Sequence, residues 1–242
     1  MISPARRHRL HVTARAVNEA AAARLTPLEN AKPYALMLAK LDADKRRLHL
    51  VQSVEKKIAL KREMLPEYAD WIDGVLEAGS GVQDDVLMHV LVWRIDAEDY
   101  PGALALAEYA LKHDLKLPGQ YHRTLGCLLA EEFADQALKA MVAKREANLD
   151  ALAQISDMTL GCDMPDEVRA KLNKAIGLAY EGEDKPALAL ACLEKALTLH
   201  VQAGVKKDIE RVKRTLKNEA AGRNPAPPGG APTNTDAGHP AP

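Results

Sequence analysis

The chain has 242 residues, of which 47% are hydrophobic, 28% charged and only 4% aromatic, and the abundance of Ala and Leu favours an all-α protein. No apolar run approaches the roughly 18 residues of a membrane span, and no apolar segment follows the basic N-terminus to form a secretory signal. The three cysteines, Cys127, Cys162 and Cys192, show neither zinc nor disulfide spacing, so a reduced, cytoplasmic setting is expected.

The net charge of −1 conceals a strong asymmetry along the chain. Residues 1–65 carry 14 Lys or Arg against 6 Asp or Glu, whereas residues 66–135 carry 4 against 14. A basic segment beside an acidic one predicts that the basic part binds a polyanion. The alternative is that the two segments neutralise each other within an oligomer.

Two N-terminal elements follow from the residue pattern. Residues 1–13 are predicted to form a flexible basic arm, and residues 14–25 a short Ala-rich helix. Between Tyr34 and about Leu65 no Pro or Gly occurs, and apolar residues recur at intervals of three, four or seven. This pattern predicts one long amphipathic helix of roughly 45 Å. Its stripe needs later helices or copies of the chain to cover it, although Asp44 interrupts a regular heptad.

Helical patterns continue beyond Pro66, separated by Gly, Pro and polar residues. They cover residues 67–78, 84–97, 102–113, 123–146, 150–157, 166–181, 186–200 and 205–219. Residues 84–113 and 170–200 are each predicted as a helical hairpin, and the second fits the spacing of a tetratricopeptide unit. Such hairpins dock other chains, and the alternative is a helix pair that binds nothing. The tail, rich in Pro, Gly, Ala and Thr, is predicted to be disordered.

The sequence contains no motif for catalysis. It has no GxxxxGK[ST], GxSxG or HExxH, and its eight histidines are not spaced as zinc ligands. Two acidic clusters, Asp84-Asp85 and Asp96 to Asp99, are candidates for the metal site of a nuclease. Helix capping and a solvated turn account for them more simply. No cofactor, metal or catalytic residue is therefore assigned.

Nucleic-acid binding has better support. Lys and Arg neutralise phosphates without special geometry, and basic arms enter DNA grooves. The scarcity of aromatic residues disfavours a single-strand stacking platform. A solvated helix face is the alternative for each basic run, and the basic helix at 206–217 is a second candidate surface. The candidate DNA-binding residues are Arg6, Arg7, Arg9, Lys45, Arg46, Arg47, Lys56, Lys57, Lys61 and Arg62.

Several long strings resemble a known family. They are SPARRH, ALMLAKLDADKRRLHLVQSVEKKIALKREMLPEYADW, QDDVLMHVLVWRIDAEDYPGALALAEYALKH and HRTLGCLLAEEFADQAL. Together they resemble the small terminase subunit of temperate contractile-tailed phages of enterobacteria and their relatives. The resemblance covers roughly residues 3–220.

The resemblance implies a specific role. Such a subunit works with a large ATPase subunit, and together they recognise the cohesive-end site in concatemeric phage DNA, cut it, and attach the complex to the portal of an empty capsid. The family carries an endonuclease label, whereas small terminases of other phages are DNA-binding rings. The resemblance therefore implies a homo-oligomer, with a ring as the expected arrangement, in the cytoplasm of the bacterial host.

These inferences divide the chain into four segments. Residues 1–65, the arm and long helix, are expected to bind DNA and to form the oligomer. Residues 66–158 are expected to form an acidic helical core, and residues 159–221 a hairpin and basic helix that dock the partner. Residues 222–242 are the tail.

Overall fold

The computed structural model describes residues 3–24, 27–119 and 122–223, and this part of the chain is all-α, as predicted. Most predicted helix bounds agree with the observed ones to within a few residues. The predicted tail falls almost entirely outside the described residues. The helices are α1 Pro4–Ala22, α2 Lys32–Leu50, α3 Val54–Met64, α4 Ala69–Ala78, α5 Asp85–Asp96, α6 Tyr100–Lys112, α7 Leu125–Val142, α8 Leu149–Met158, α9 Asp166–Gly182, α10 Pro186–Leu199 and α11 Lys206–Arg223.

The prediction of a flexible arm at residues 1–13 is wrong for the part that the structure describes. The hydroxyl of Ser3 caps α1 by accepting from the amide of Arg6, and Pro4 occupies the first helical position, where its missing N–H costs nothing. The helix then packs along α4, where Ala14 is fully buried. The basic residues of the N-terminus therefore lie on an ordered helix.

The single long helix predicted between residues 34 and 65 is also wrong, because it breaks at residues 51–53. Val51 has extended backbone angles, φ −88° and ψ 126°, and α2 ends before it. Ser53 caps α3 by accepting from the amide of Lys56 at 3.4 Å. A Ser hydroxyl competes with helical hydrogen bonding in a helix interior and favours a cap. Ser53 therefore marks the start of a separate helix, a signal that the sequence-based prediction missed.

The apolar stripe of α2 is covered by the chain itself. Its buried residues are Tyr34, Met37, Leu41, Asp44 and Leu48, and α2 packs against α1, α3 and α5. The prediction of an oligomer from the sequence rested on the need to cover this stripe. Because the chain covers it, the stripe gives no reason to expect a partner copy.

The centre of the fold is α5, which is buried on almost every side from Val86 to Trp93. It contacts α2, α3, α6 and α7. Two aromatic pairs connect the surrounding elements: Trp93 of α5 meets the ring of Tyr68 edge-on at 5.8 Å, and Trp71 of α4 stacks on Tyr34 of α2 at 6.0 Å. These contacts hold α2 and α4 in fixed positions relative to the core.

The C-terminal helices have a second small core. It consists of Ala170, Ala189, Leu193, Ala196, Val205, Ile209 and Val212, contributed by α9, α10 and α11. Helices α9 and α10 pack closely, as do α5 and α6, at the positions of the two predicted hairpins. Their tetratricopeptide-like character stays a prediction. Within the described ranges, no helix is both long and apolar enough to cross a membrane.

The close approach of α1 to α4 depends on Gly74. A Cβ atom there would lie 2.8 Å from the Cβ of Ala14 and would also meet the carbonyl oxygen of His11. We expect Gly74→Ala to lower the free energy of unfolding by about 1–3 kcal/mol, because it pushes α1 off α4. Urea denaturation measures this change. Gly182→Ala is the control, since a Cβ there meets nothing within 4 Å, and equal stability of the two variants would contradict the packing argument.

Candidate nucleic-acid interface

Folding uses four of the ten predicted DNA-binding residues for internal contacts. Arg7 pairs with Asp70 at 3.1 Å and Arg47 with Asp44 at 3.1 Å. The other two reach the α5–α6 turn: Lys61 pairs with Asp96, and Arg62 donates to the carbonyl of Ala97 at 3.0 Å. The sequence-based prediction counted these cations as available, but the fold uses them. Arg7 ties α1 to α4, Lys61 and Arg62 tie α3 to the α5–α6 turn, and Arg47 pairs within α2.

The other six predicted residues form no ion pair with any residue that the structure describes. They are Arg6 and Arg9 on α1, Lys45 and Arg46 on α2, and Lys56 and Lys57 on α3. Arg6, Arg9, Arg46 and Lys56 are exposed, whereas Lys45 and Lys57 are half-buried. These six positive charges are balanced mainly by solvent, and they are the available phosphate-binding groups of the prediction.

Two hollows flank α2. Between α1 and α2 lies a groove of about 650 Å³ with an apolar floor and a basic rim, lined by Arg6, Arg9, Leu10, Thr13, Lys32, Pro33, Leu36, Met37, Lys40 and Glu67. A shallower hollow of about 540 Å³ is lined by Asp42, Lys45, Arg46, His49 and Leu50. The fold thus brings Arg6 beside Arg9 and Lys45 beside Arg46, and it adds Lys32, which the sequence-based prediction missed. Lys56 and Lys57 line neither hollow.

Asp44 is the buried acid beneath this surface, only 4% exposed. Its carboxylate accepts from Lys40 at 2.6 Å, from the hydroxyl of Tyr68 at 2.7 Å and from Arg47 at 3.1 Å. Burial by itself would raise its pKa, but the three donors together outweigh burial and hold the pKa below its ordinary value. The residue that interrupted the heptad is therefore a charged anchor between α2 and the segment that precedes α4.

The first acidic cluster has structural partners. Asp84 caps α5 by accepting from the amide of Leu87 at 3.0 Å, and its second oxygen accepts from the indole N–H of Trp71 at 3.0 Å. Burial raises the pKa of Asp84 to about 6. Asp85 accepts from the side-chain amide of Gln83 at 3.1 Å.

The second acidic cluster is also engaged. Asp96 pairs with Lys61, Asp99 caps α6 by accepting from the amide of Gly102 at 3.2 Å, and Glu98 accepts two hydrogen bonds of 2.9 Å from Arg145. Across the described ranges, no group of three or more His, Cys, Asp and Glu side chains is arranged to hold a metal ion.

The basic helix α11, the second candidate surface, is partly neutralised in the same way. Arg211 pairs with Glu181 at 2.6 Å and with Asp208 at 2.7 Å, and Lys213 pairs with Glu194 at 2.8 Å. No ion pair to another described residue is formed by Lys206, Lys207, Arg214 or Lys217.

The burial of Asp84 leads to a test by pH. In a ¹³C NMR titration of the side-chain carboxyls, Asp84 should report a pKa near 6, whereas Asp44 should titrate below 3.8. The folded-state pKa of Asp84 exceeds its unfolded value, so this group makes the folded chain less stable as pH rises from about 4 to 6, by roughly 3 kcal/mol. A pKa of Asp84 at or below 3.8 would contradict its burial.

Comparisons with known proteins show the family to which the chain belongs. The family model described as phage small terminase subunit matches residues 38–167. The chain is 46% identical over 217 residues to the "Terminase, endonuclease subunit" of Escherichia phage P2, covering 90% of this chain and 87% of that protein. It is 23% identical over 192 residues to the "Probable terminase, endonuclease subunit" of Haemophilus phage HP1, covering 74% and 68% respectively. No solved structure matches the chain. The chain belongs to the phage small terminase subunit family.

Proposed function

We propose that this chain recognises the cohesive-end site of phage duplex DNA and delivers it to the large ATPase subunit of the terminase for packaging into the capsid. One observation supports this most directly: in a small terminase subunit, six predicted DNA-binding cations lie on α1, α2 and α3 with no ion pair to a described residue. The proposed site of action is the cytoplasm of the bacterial host.

The charge distribution favours DNA binding by the first three helices. Unpaired cations release condensed counterions from DNA when they meet phosphates, and this release supplies most of the sequence-independent affinity. Paired cations contribute less, because each must first give up a carboxylate. Arg6, Arg9 and Lys45 are therefore the principal phosphate contacts of the proposal, with Arg46 beside Lys45 and with Lys56 and Lys57 on α3 completing the surface.

Assembly with other subunits is the second half of the proposal. Residues 159–221 dock the large subunit, and copies of the chain associate into a homo-oligomer, for which a ring is the proposed arrangement. Helices α9, α10 and α11 support this division because they share their own small core. Helix α10 also leaves Leu188 49% exposed, and the following turn leaves Val201 70% exposed. Such apolar side chains at the rim of a helical hairpin suit contact with another protein.

An endonuclease is a second candidate function, favoured by the names of both relatives. Acids of the two clusters considered as metal sites are engaged as helix caps and an ion-pair partner: Asp84 and Asp99 cap α5 and α6, and Asp96 pairs with Lys61. A cleavage assay with the chain alone, Mg²⁺ and duplex DNA carrying the cohesive-end site separates the two candidates. DNA recognition without chemistry leaves that duplex intact, whereas specific cutting by the chain alone favours the nuclease.

The proposed phosphate contacts give a quantitative prediction. The double variant Arg9→Ala and Lys45→Ala should weaken duplex binding and lower the slope of log affinity against log salt by nearly 2, since each phosphate contact contributes about 0.9. Fluorescence anisotropy over a range of salt concentrations measures both quantities. Lys112→Ala with Lys139→Ala is the control, because it removes two exposed cations that lie on α6 and α7. An unchanged slope in the first variant would remove this pair from the interface.

The proposed docking surface is tested with the large subunit. Leu188→Asp should abolish co-purification with the large ATPase subunit and leave duplex binding unchanged, because a charge there disrupts an apolar contact. The triple variant Lys207→Ala, Arg214→Ala and Lys217→Ala tests the alternative that α11 binds DNA. Loss of duplex affinity in the triple variant, together with normal co-purification of Leu188→Asp, would reverse the assignment.

A further inference from the structure

Helix α2 has two regular faces on opposite sides. The inner face, with Tyr34, Met37, Leu41, Asp44 and Leu48, is buried. Five residues on the other side repeat the same alternation of three and four and therefore share one face along the helix. This outer face consists of Leu36, Ala39, Ala43, Arg46 and Leu50.

The outer face is mainly apolar but lies open to solvent. Leu36 is 72% exposed and Leu50 is 80% exposed. Ala39 is exposed and Ala43 half-buried, so the middle of the face is nearly flat. Over its length of about 21 Å, the only long side chain between the two leucines is that of Arg46. An apolar face of this kind on a helix predicts a binding partner that contacts it directly.

The charges around the outer face favour a polyanion as that partner. Lys45 lies beside Arg46 in one hollow, and Lys32 lies beside Leu36 in the groove that Arg6 and Arg9 also line. Asp42, which borders Arg46, is the one exposed acid of α2. A second copy of α2 laid on this face would bring two such sets of cations together, which is unfavourable.

We infer that the outer face of α2 is the recognition element of the protein, and that it lies in the major groove of duplex DNA. The inference rests on the proposed function, in which the surrounding cations bind phosphates. A helix with its side chains is about 10–12 Å across, and the major groove is about 12 Å wide. The two alanines allow the backbone of α2 to approach the base edges, while Lys32, Lys45, Arg6 and Arg9 reach the strands on either side.

The side chains of the outer face match the chemistry of the base edges. Leu36, Ala39, Ala43 and Leu50 offer apolar contact to the 5-methyl group of thymine, which only the major groove presents. Arg46 offers two N–H donors to N7 and O6 of guanine. Arg46 thus specifies sequence, whereas Arg9 contributes affinity without reading bases.

The first experiment tests the contact between Arg46 and guanine by removing one hydrogen-bond acceptor from the base. A duplex selected from a randomised library by the wild-type chain is resynthesised with 7-deazaguanine, which lacks the N7 acceptor. We expect wild-type affinity to fall about tenfold on the modified duplex, which is typical of losing one good base contact. Arg46→Ala should bind both duplexes equally. Arg9→Ala is the matched control: it should bind more weakly overall yet keep the tenfold difference.

The second experiment tests the apolar contacts. Replacing thymine by uracil removes only the methyl group, so the uracil duplex should bind the wild-type chain several-fold more weakly. The double variant Leu36→Ala and Leu50→Ala should lose this difference, whereas Leu188→Ala on α10 should keep it. A wild-type chain that binds duplex DNA in a salt-dependent manner but is insensitive to both base changes overturns the inference and leaves the proposed function standing. Failure of the wild-type chain to bind any duplex contradicts the proposed function itself.

Light scattering of the leucine double variant without DNA provides a further check. An unchanged mass supports the outer face as a DNA surface. A reduced mass would show that the face joins copies of the chain, and the inference would be wrong.

Discussion

Asp44 carries a negative charge into the inner face of α2, where it accepts hydrogen bonds from Lys40, Tyr68 and Arg47. A buried carboxylate that loses such partners is left uncompensated at a cost of about 3–5 kcal/mol. Rotation of α2 about its axis would break the bond to Tyr68, so the network fixes which side of the helix faces the core. The exposure of Leu36 and Arg46 on the opposite side follows from that constraint, and the candidate interface depends on it.

The cations of residues 1–65 divide into two groups: some pair with acids of the same chain, and the others remain unpaired among the described residues. Lys61 and Arg62 on α3 contact Asp96 and Glu98 at the α5–α6 turn. Part of the basic segment at residues 1–65 therefore neutralises part of the acidic segment at residues 66–135 within one chain. Glu98 also binds Arg145, which ties the same turn to the α7–α8 connection. The remaining unpaired cations of α1 to α3 are fewer than the sequence suggested. They are also closer together, because α1 is an ordered helix beside α2 rather than a free arm.

Sequence reasoning predicted the all-α class from the abundance of Ala and Leu, and most helix bounds from the Gly and Pro residues that separate most of the later helices. It failed at residues 51–53, where neither Gly nor Pro marks the break and the signal is the cap formed by Ser53. It also failed to separate bound from unbound cations. That distinction depends on which acid lies opposite each cation in three dimensions, as with Arg7 and Asp70, which are 63 positions apart. Local patterns contain no information about such pairs.

Exposure separates the paired cations into two kinds. The side chain of Arg7 is 58% exposed and that of Arg47 is 49% exposed, whereas that of Lys61 is only 16% exposed. The acids that these two arginines hold are not exposed, since the side chains of Asp70 and Asp44 are only 11% and 6% exposed. A phosphate that takes Arg7 from Asp70 therefore leaves a buried carboxylate without that donor, which is unfavourable. Lys61 cannot be released without exposing the turn that it holds. The predicted DNA-binding set thus divides into free cations and cations that the fold uses. Under the proposed function, DNA binding draws on the free cations and leaves the packing of α3 against α5 intact.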